Sequence, residues 1–196
     1  MNSVFIHASD ILTPDFFTDI EKTVEALEYE DGQTLKSKQE GTPDPLRKSH
    51  VKWIKPVDEC SQRLLYHVNN IFLDMNDAHF GFDIFPNRVY GLQYTEYRGN
   101  EQGHYGTHID SWLVGPLFKD RKLSMTIQLS DSHEYTGGDF EIDTFTDFKD
   151  LNINKEEIRK KGTVFVFPSF LCHRVTPVTS GLRKSLVAWI EGPKFR

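Results

Sequence analysis

The sequence predicts a mainly β protein, either a β-sandwich or a jelly roll, backed by helices near its N-terminal end. Two segments within residues 1–79 repeat apolar side chains at helical spacing. From residue 80 onward the apolar pattern has period two, in short segments that glycines and prolines separate. Helices followed by many short strands are typical of these β folds. We therefore predict one domain over 1–196, with a helical buttress and mobile loop over 1–79 and the β core over 80–196.

Composition limits the possible functions and partners. A length of 196 residues suits one domain with a sizeable core. The net charge of −6 argues against a large phosphate-binding surface, and therefore against a nucleic-acid partner. Because Cys60 and Cys172 are the only cysteines, we expect two reduced thiols rather than a disulfide framework.

We also expect no targeting signal or membrane-spanning segment in this sequence. The stretch "MNSVFIHASDIL" has neither the basic region nor the long apolar region of a secretion signal. The apolar run "TVFVFPSFLC" is too short to cross a bilayer and contains Pro168. We therefore expect a cytoplasmic protein with no membrane partner. The sequence leaves the oligomeric state open.

Two helices are predicted in the N-terminal part. The first is "PDFFTDIEKTVEALEYE", which Thr13 would cap and Pro14 would open. The second is "VDECSQRLLYHVNNIFLDMND". Between them, the polar segment 31–50 is rich in Gly, Pro and Lys, and we expect a long mobile loop with solvated basic side chains. Apolar residues at helical spacing support the helices: Phe16, Phe17, Ile20, Val24 and Leu27 in the first, and Cys60, Leu64, Val68, Ile71, Phe72 and Met75 in the second.

Strands are predicted in the C-terminal part. "RVYGLQYTEY" and "KLSMTIQLS" alternate, and the apolar side chains of the latter share one face. "DFEIDTF" follows a turn at Gly137-Gly138. "GTVFVFPSF" and "RKSLVAWIEG" are apolar enough to be covered on both faces. The polar segment "TDFKDLNINKEEIRKK" between them has a helical pattern.

The stretch "HYGTHID" contains two possible pairs of metal ligands. On a helix, His104 and His108 would share a face, but Gly106 in the middle would cost up to about 1 kcal/mol. In addition, no Glu follows His104, as the zinc-protease motif requires. On a strand, His108 and Asp110 share a face. We therefore predict a strand over 104–112, with His104 roughly 7 Å along it and too far for the same ion, so that it either lines the pocket mouth or faces solvent.

A third ligand is expected at His173, in "FLCHRVTPV" at a strand edge. Two histidines and one carboxylate leave coordination positions open, which suits Fe(II) that must bind a chelating acid and O₂. The same ligands could hold zinc and a water for hydrolysis. The ligand types alone do not separate iron from zinc.

Arg183 follows in "HRVTPVTSGLRKSLVAW", where Gly181 predicts a turn. The next strand would place Arg183, Ser185, Val187 and Trp189 on one face. A guanidinium inside a barrel needs an anionic partner. That partner is either an internal carboxylate or a bound dicarboxylate that the guanidinium grips through two hydrogen bonds.

With these residues together, the chain resembles the Fe(II)/2-oxoglutarate-dependent dioxygenases, most closely their prolyl 4-hydroxylase-like branch. The resemblance extends from "GLQYTEYRGNEQGHYGTHID" to "GLRKSLVAWIEGP" and includes "YTGGDFEI" and "KGTVFVFPSFLCHRVTPV". It implies a double-stranded β-helix, or jelly roll, buttressed by N-terminal α-helices. It also implies Fe(II), 2-oxoglutarate as cosubstrate and O₂, with ascorbate as a supporting reductant.

The resemblance implies a role for each site residue. Gln128 falls where some relatives carry a cosubstrate-binding tyrosine, so the change to glutamine departs from their pattern. The implied roles are Fe(II) binding by His108, Asp110 and His173; binding of the distal 2-oxoglutarate carboxylate by Arg183; further cosubstrate contacts from Tyr97, Gln128 and Ser185; and a substrate pocket shaped by Tyr105, Trp112 and His104.

The implied reaction is hydroxylation of an amino-acid side chain, with release of succinate and CO₂. The expected substrate is proline in a peptide or protein. Two alternatives stay open at this point. One is nucleobase demethylation by the same chemistry, and the other is a non-catalytic jelly roll that binds a metal or a ligand.

Overall fold

The structure is a computed structural model that describes residues 6–34, 37, 41, 44–87, 89–112, 118–143 and 155–194. Parts of four predicted segments therefore lie outside the described residues. These parts are most of the central portion of the 31–50 loop, residue 88 of "RVYGLQYTEY", residues 144–145 of "DFEIDTF" and residues 146–154 of the polar helical segment. The end of that last segment is helical, as expected, over Lys155–Arg159.

Both predicted N-terminal helices are present. Helix α1 covers Pro14–Glu25, and the Thr13 hydroxyl accepts a hydrogen bond from the Phe16 amide. Helix α2 covers Glu59–Met75, and a π-helix continues it over Asn76–Phe80. Asp58 caps α2 through a reciprocal pair of hydrogen bonds with Ser61. The short helix at Lys155–Arg159 is α3.

Twelve strands are assigned within the described ranges. They are β1 (Ile6–Ala8), β2 (Glu30–Asp31), β3 (Arg47–Lys48), β4 (His50–Ile54), β5 (Leu92–Arg98), β6 (His104–His108), β7 (Lys119–Gln128), β8 (Tyr135–Gly137), β9 (Phe140–Ile142), β10 (Val164–Pro168), β11 (His173–Val175) and β12 (Val178–Pro193). A major sheet has the order β1-β10-β7-β12-β5-β4-β2, with β8 paired to β12. A minor sheet has the order β3-β6-β11-β9. This two-sheet architecture with flanking helices confirms the predicted jelly roll.

Two apolar cores lie on opposite faces of the major sheet. Strand β10 shows the division, because Val164 and Val166 pack in one core and Phe165 and Phe167 in the other. The first core joins the sheet to α1 and α2, and the second joins it to the minor sheet. Strands β7 and β12 are likewise buried on both faces over most of their length, and the polar side chains of β7 lie on the face away from the helices.

The predicted turn at Gly181 is wrong. Gly181 lies inside the continuous strand β12, with a positive φ of 73°. At this point β12 leaves its partner β8 and begins to pair with β5. A Cβ at Gly181 would lie 2.0 Å from the Glu134 carbonyl oxygen, so the close approach of the two strands requires glycine.

The expectation of a single loop over 31–50 is also wrong in part. Strand β3, the second residue of β2 and the first residue of β4 fall within it. Residues N-terminal to position 80 therefore contribute strands to both sheets, in addition to the two helices. A two-residue strand such as β3 has too little periodicity to be visible in a sequence, and β3 pairs with residues more than 50 positions away.

Two further expectations concern the thiols and the bilayer. Cys60 and Cys172 are both free, as expected. Among the described residues, no helix has the length and the apolar character that crossing a membrane would require.

Truncation of Leu64, one of the α2 side chains that face the sheet, should destabilise the fold. Leu64 is fully buried in the first core, so Leu64→Ala should lower the free energy of unfolding by about 2–5 kcal/mol. Tyr66 on the same helix is 63% exposed, and Tyr66→Ala should change the free energy of unfolding by no more than about 0.5 kcal/mol. Urea unfolding followed by circular dichroism measures both. Equal losses in the two variants would contradict this packing.

Candidate active site

A cavity of about 500 Å³ opens between the two sheets. The major sheet contributes Arg183, Ser185, Val187 and Trp189 from β12, which confirms that these four side chains share one face. The minor sheet contributes side chains of β3, β6, β9 and β11 to the opposite wall. The cavity is thus built where the inward faces of the two sheets meet, as in other ligand-binding jelly rolls and barrels.

Three potential metal ligands meet in this cavity. His173 on β11 is the direct pairing partner of His108 on β6, so antiparallel pairing sets their imidazoles side by side. Asp110 follows β6, and its carboxylate lies 3.7 Å from His108 Nε2 and 3.4 Å from His173 Nε2. One ligand atom from each of the three residues lies within 4.8 Å of the others. The structure therefore brings together the three residues that the sequence selected.

Both histidines are oriented by their other ring nitrogen. His108 Nδ1 lies 2.8 Å from the Gly106 carbonyl oxygen, and His173 Nδ1 lies 3.0 Å from the Leu171 carbonyl oxygen. A carbonyl oxygen can only accept, so each Nδ1 must carry the proton in the neutral ring. Each Nε2 then directs its lone pair towards Asp110, the arrangement typical of metal-binding histidines.

Asp110 lies beyond the end of its strand, since β6 ends at His108 and the predicted strand over 104–112 is too long. The amides of Asp110 and Ser111 both donate to the Ser169 carbonyl oxygen at 2.9 Å, which turns the chain. The Ser124 hydroxyl donates to Asp110 Oδ2 at 2.7 Å. Ser124 lies on the polar, inward face of the alternating strand β7. This alternation could have identified Ser124 from the sequence.

The electrostatics favour the forms that bind a metal. Burial, followed by electrostatic repulsion between the imidazoles of His108 and His173, lowers the pKa of His108 to about 4. Burial by itself would raise the pKa of Asp110, but His173, Arg121, His108 and the Ser124 hydrogen bond together hold it below its ordinary value. At neutral pH the site therefore presents a neutral imidazole and a carboxylate, which are the metal-binding forms.

Arg183 is a buried cation that has no hydrogen-bond partner among the described residues. Its side chain is 0% exposed, and Nε, Nη1 and Nη2 make no hydrogen bond within the part of the chain that the structure describes. No carboxylate there forms an ion pair with it, so the internal ion pair considered from the sequence is not observed. The guanidinium lies 5.4 Å from the centre of the Tyr97 ring. An unmet buried charge of this kind fits an anionic ligand.

The remaining predicted residues divide into two groups. Tyr97, Ser185, Tyr105 and Trp112 line the cavity. Gln128 is buried and pairs with Ser185 across the sheet, but it does not line the cavity. His104 is not among the residues that line it, and its Nδ1 lies 2.9 Å from the Gln102 carbonyl oxygen at the start of β6. Of the two positions expected for His104, the pocket mouth or solvent, this arrangement favours the second.

Two arginines of the cavity were missed in the sequence. Arg47 was assigned to a solvated loop, but it is only 7% exposed and lines the cavity. Arg121 also lines it, with its guanidinium 5.2 Å from the Trp112 ring centre and 4.0 Å from the Trp189 ring centre. No local signal separates these arginines from surface ones, because their burial depends on the pairing of distant strands.

The cavity as a whole fits a divalent metal together with a dicarboxylate. Two imidazole nitrogens and a carboxylate form the donor set, and it leaves positions open on an octahedral ion. Arg183, on the other wall, supplies an unmet cationic donor for a carboxylate.

The chain is similar to known proteins in both sequence and structure. The profile of the 2OG-Fe(II) oxygenase superfamily matches residues 92–191. A PKHD-type hydroxylase of Pseudoalteromonas atlantica (strain T6c / ATCC BAA-1087) is 30% identical over 149 residues, which are 73% of this chain and 62% of that protein. A PKHD-type hydroxylase of Synechococcus sp. (strain CC9311) is 37% identical over 91 residues, 46% of this chain and 38% of that protein. The chain spans less than two thirds of the length of these relatives.

Solved structures share the fold. A prolyl hydroxylase from Trichoplax adhaerens, in complex with a peptide fragment of the hypoxia inducible factor oxygen degradation domain, superposes with a TM-score of 0.68 at 16% identity, covering 95% of this chain and 83% of that one. A Pseudomonas putida prolyl-4-hydroxylase gives a TM-score of 0.66 at 16% identity, covering 98% and 94%. The matched profile runs from β5 to β12 and includes the two histidines, the aspartate and Arg183. The chain therefore belongs to the 2OG-Fe(II) oxygenase superfamily.

Proposed function

We propose that the protein is an Fe(II)- and 2-oxoglutarate-dependent dioxygenase that hydroxylates an amino-acid side chain, with proline in a peptide or protein as the substrate. The observation that carries the proposal is that one cavity holds the group of His108, Asp110 and His173 on one wall and, on the other, Arg183, whose guanidinium has no hydrogen-bond partner among the described residues. When bound, the iron and its cosubstrate supply the oxidising chemistry, in which substrate, O₂ and 2-oxoglutarate become hydroxylated substrate, succinate and CO₂.

The residues of this chain would position the reactants. His108, Asp110 and His173 would hold Fe(II) on one side and leave the other side open. Ser124 and the two backbone carbonyl groups that fix the imidazoles would keep these ligands in place. Arg183 would bind the distal carboxylate of 2-oxoglutarate through its planar fork, with the Ser185 hydroxyl and the Tyr97 ring beside it.

The cavity would also limit access of water to the reacting atoms. Phe167 and Phe140 lie beside His173, with ring centres 4.8 Å and 5.9 Å away. Tyr105 stacks on His108 at 3.6 Å and 14°. Apolar and aromatic walls of this kind lower the local dielectric and strengthen the electrostatic grip of the site on a charged cosubstrate.

Two features support proline as the hydroxylated residue. The relatives described above are named as PKHD-type hydroxylases, and the solved structures of the same fold are prolyl hydroxylases, one of them holding a peptide. In addition, Trp112 and Trp189 line the cavity and offer flat apolar surfaces on which a pyrrolidine ring can pack.

Turnover tests the proposal directly. The purified protein with Fe(II), ascorbate, 2-oxoglutarate and O₂ should form succinate with a subset of proline-containing peptides, together with a product heavier by one oxygen atom. Mass spectrometry of the peptides and a coupled succinate assay measure the two products. The proposal is wrong if 2-oxoglutarate neither binds nor is consumed with any peptide, free amino acid or oligonucleotide offered.

Removal of a metal ligand should abolish the complex of iron and cosubstrate. Under anaerobic conditions, the wild type with Fe(II) and 2-oxoglutarate should develop a visible charge-transfer band, and Asp110→Ala and His173→Ala should not. His104→Ala is the matched control, because His104 lies on the same strand as His108 but outside the cavity. A band that survives in Asp110→Ala would contradict the assignment of the ligands.

Removal of the Arg183 charge should weaken cosubstrate binding selectively. A hydrogen-bonded charge pair is worth about 1.5–3 kcal/mol, so Arg183→Gln should raise the Kd for 2-oxoglutarate by about 10–100-fold without changing the affinity for metal. Lys184→Gln is the control, since Lys184 is adjacent in sequence but does not line the cavity. Anaerobic titration calorimetry measures both constants, and an unchanged Kd in Arg183→Gln would exclude this role.

A further inference from the structure

We propose that Arg47 forms a second carboxylate-binding subsite in the cavity and that it selects substrates carrying a carboxylate close to the hydroxylated residue. This inference rests on the proposed function and defines the substrate class more narrowly. Arg47 lies on β3 of the minor sheet, whereas Arg183 lies on β12 of the major sheet. The two guanidinium groups therefore belong to opposite walls of the cavity.

The Arg47 guanidinium is held in one orientation. Its Nε donates to the Ser49 hydroxyl at 2.8 Å, and its Cζ lies 4.6 Å from the centre of the Tyr105 ring. Gly32 covers it from another side, because a Cβ at that position would lie 2.6 Å from Arg47 Nε. Tyr105 in turn stacks on His108, so the cation, the phenol ring and the proposed iron ligand are stacked in order. A group fixed in this way loses little entropy when it binds a ligand.

One donor of this fixed group is unmet. Arg47 Nη2 is buried and has no hydrogen-bond partner among the residues that the structure describes. The carboxylates of the neighbouring segment are engaged elsewhere. Asp44 accepts from the Leu46 amide at 2.9 Å and the Ser37 hydroxyl at 2.7 Å, and Asp31 lies 3.7 Å from His50 Nδ1. A buried guanidinium donor that stays unpaired is costly, so an acceptor in the cavity is expected.

The balance of charge favours an anion over a neutral acceptor. With Fe(II) and 2-oxoglutarate bound, the charges of the metal, Asp110, the cosubstrate and Arg183 cancel, and the charges of Arg47 and Arg121 remain. Arg121 has Glu191 as a nearby counter-charge, and two tryptophan rings pack against its guanidinium. Among the described residues, no carboxylate forms an ion pair with Arg47, and the Tyr105 ring packs against its guanidinium. Glu30 and Asp31 also line the cavity, but they are exposed and hence more strongly screened.

The subsite can be tested before a substrate is known. The protein would be loaded with Mn(II), which is redox-inert here, and with saturating 2-oxoglutarate to occupy Arg183. Bound Mn(II) should then accelerate the ¹³C relaxation of added [¹³C]acetate much more than that of [¹³C]acetamide. The excess should disappear in Arg47→Gln and persist in Lys48→Gln, a control at the exposed neighbouring position. The proposal is overturned if acetate and acetamide relax equally in the wild type. It is also overturned if acetate relaxes equally in the wild type and in Arg47→Gln.

This experiment also separates the two proposals. Electron paramagnetic resonance reports Mn(II) binding in every sample, and circular dichroism reports folding. A protein that binds neither Mn(II) nor 2-oxoglutarate would contradict the proposed function. A protein that binds both but treats acetate and acetamide alike would leave the proposed function standing and exclude the subsite.

Substrate pairs then identify the source of the carboxylate. Peptides with Asp at one position near proline would be compared with the matching Asn peptides, and L-proline with L-prolinamide. In at least one pair, the substrate that carries the carboxylate should have a kcat/KM at least about tenfold higher than its amide counterpart. In Arg47→Gln, the ratio of these two kcat/KM values should fall to near one. Arg47→Lys should restore it only in part, because lysine lacks the planar fork. Turnover of all pairs without any preference would refute the role of Arg47 in selection.

Discussion

Burial of the central strands on both faces is the constraint on which the rest of the structure depends. Strand β12 runs through the middle of the major sheet, and alternate side chains of one strand must serve two environments. Leu186, Ala188 and Ile190 pack in the apolar core beneath the helices. The residues between them point into the cavity. A shift of register by one residue would therefore place Arg183 in the apolar core and leucine in the cavity at the same time.

The two faces also differ in what they contribute. The face towards α1 and α2 is apolar and stabilises the fold by removing side chains from water. The cavity face carries a buried guanidinium that has no hydrogen-bond partner among the described residues, and the two imidazoles and the carboxylate line the same cavity from the minor-sheet side. Such groups are unfavourable for folding and favourable for binding, because a metal and an anion would satisfy them. The helical layer thus supports a sheet whose other face is optimised for ligands rather than for stability.

The minor sheet contributes the two histidines and Arg47 to the cavity. Pairing of β11 with β6 aligns the two histidines, and pairing of β3 with β6 brings Arg47 over Tyr105. Strand β3 comes from the N-terminal part of the chain, so residues far from the matched family profile complete the cavity. Since such connecting segments vary more readily than sheet cores, they are suitable places for substrate selectivity to arise.

The sequence by itself determined the elements with strong local signals and the spacing of the site. Helices α1 and α2 could be predicted because their caps and apolar stripes are local. The pattern of His108, Asp110, His173 and Arg183 could be predicted from its spacing within strand-like segments, although Asp110 lies just beyond the end of β6. Only the tertiary structure decided which side chains are buried together. Pairing between distant segments decides four features: the short strands such as β3, the position of His104 outside the cavity, the continuity of β12 through Gly181 and the burial of Arg47. Such pairing leaves no periodic signal in the sequence, because the free energy comes from partners that the local chain does not contain.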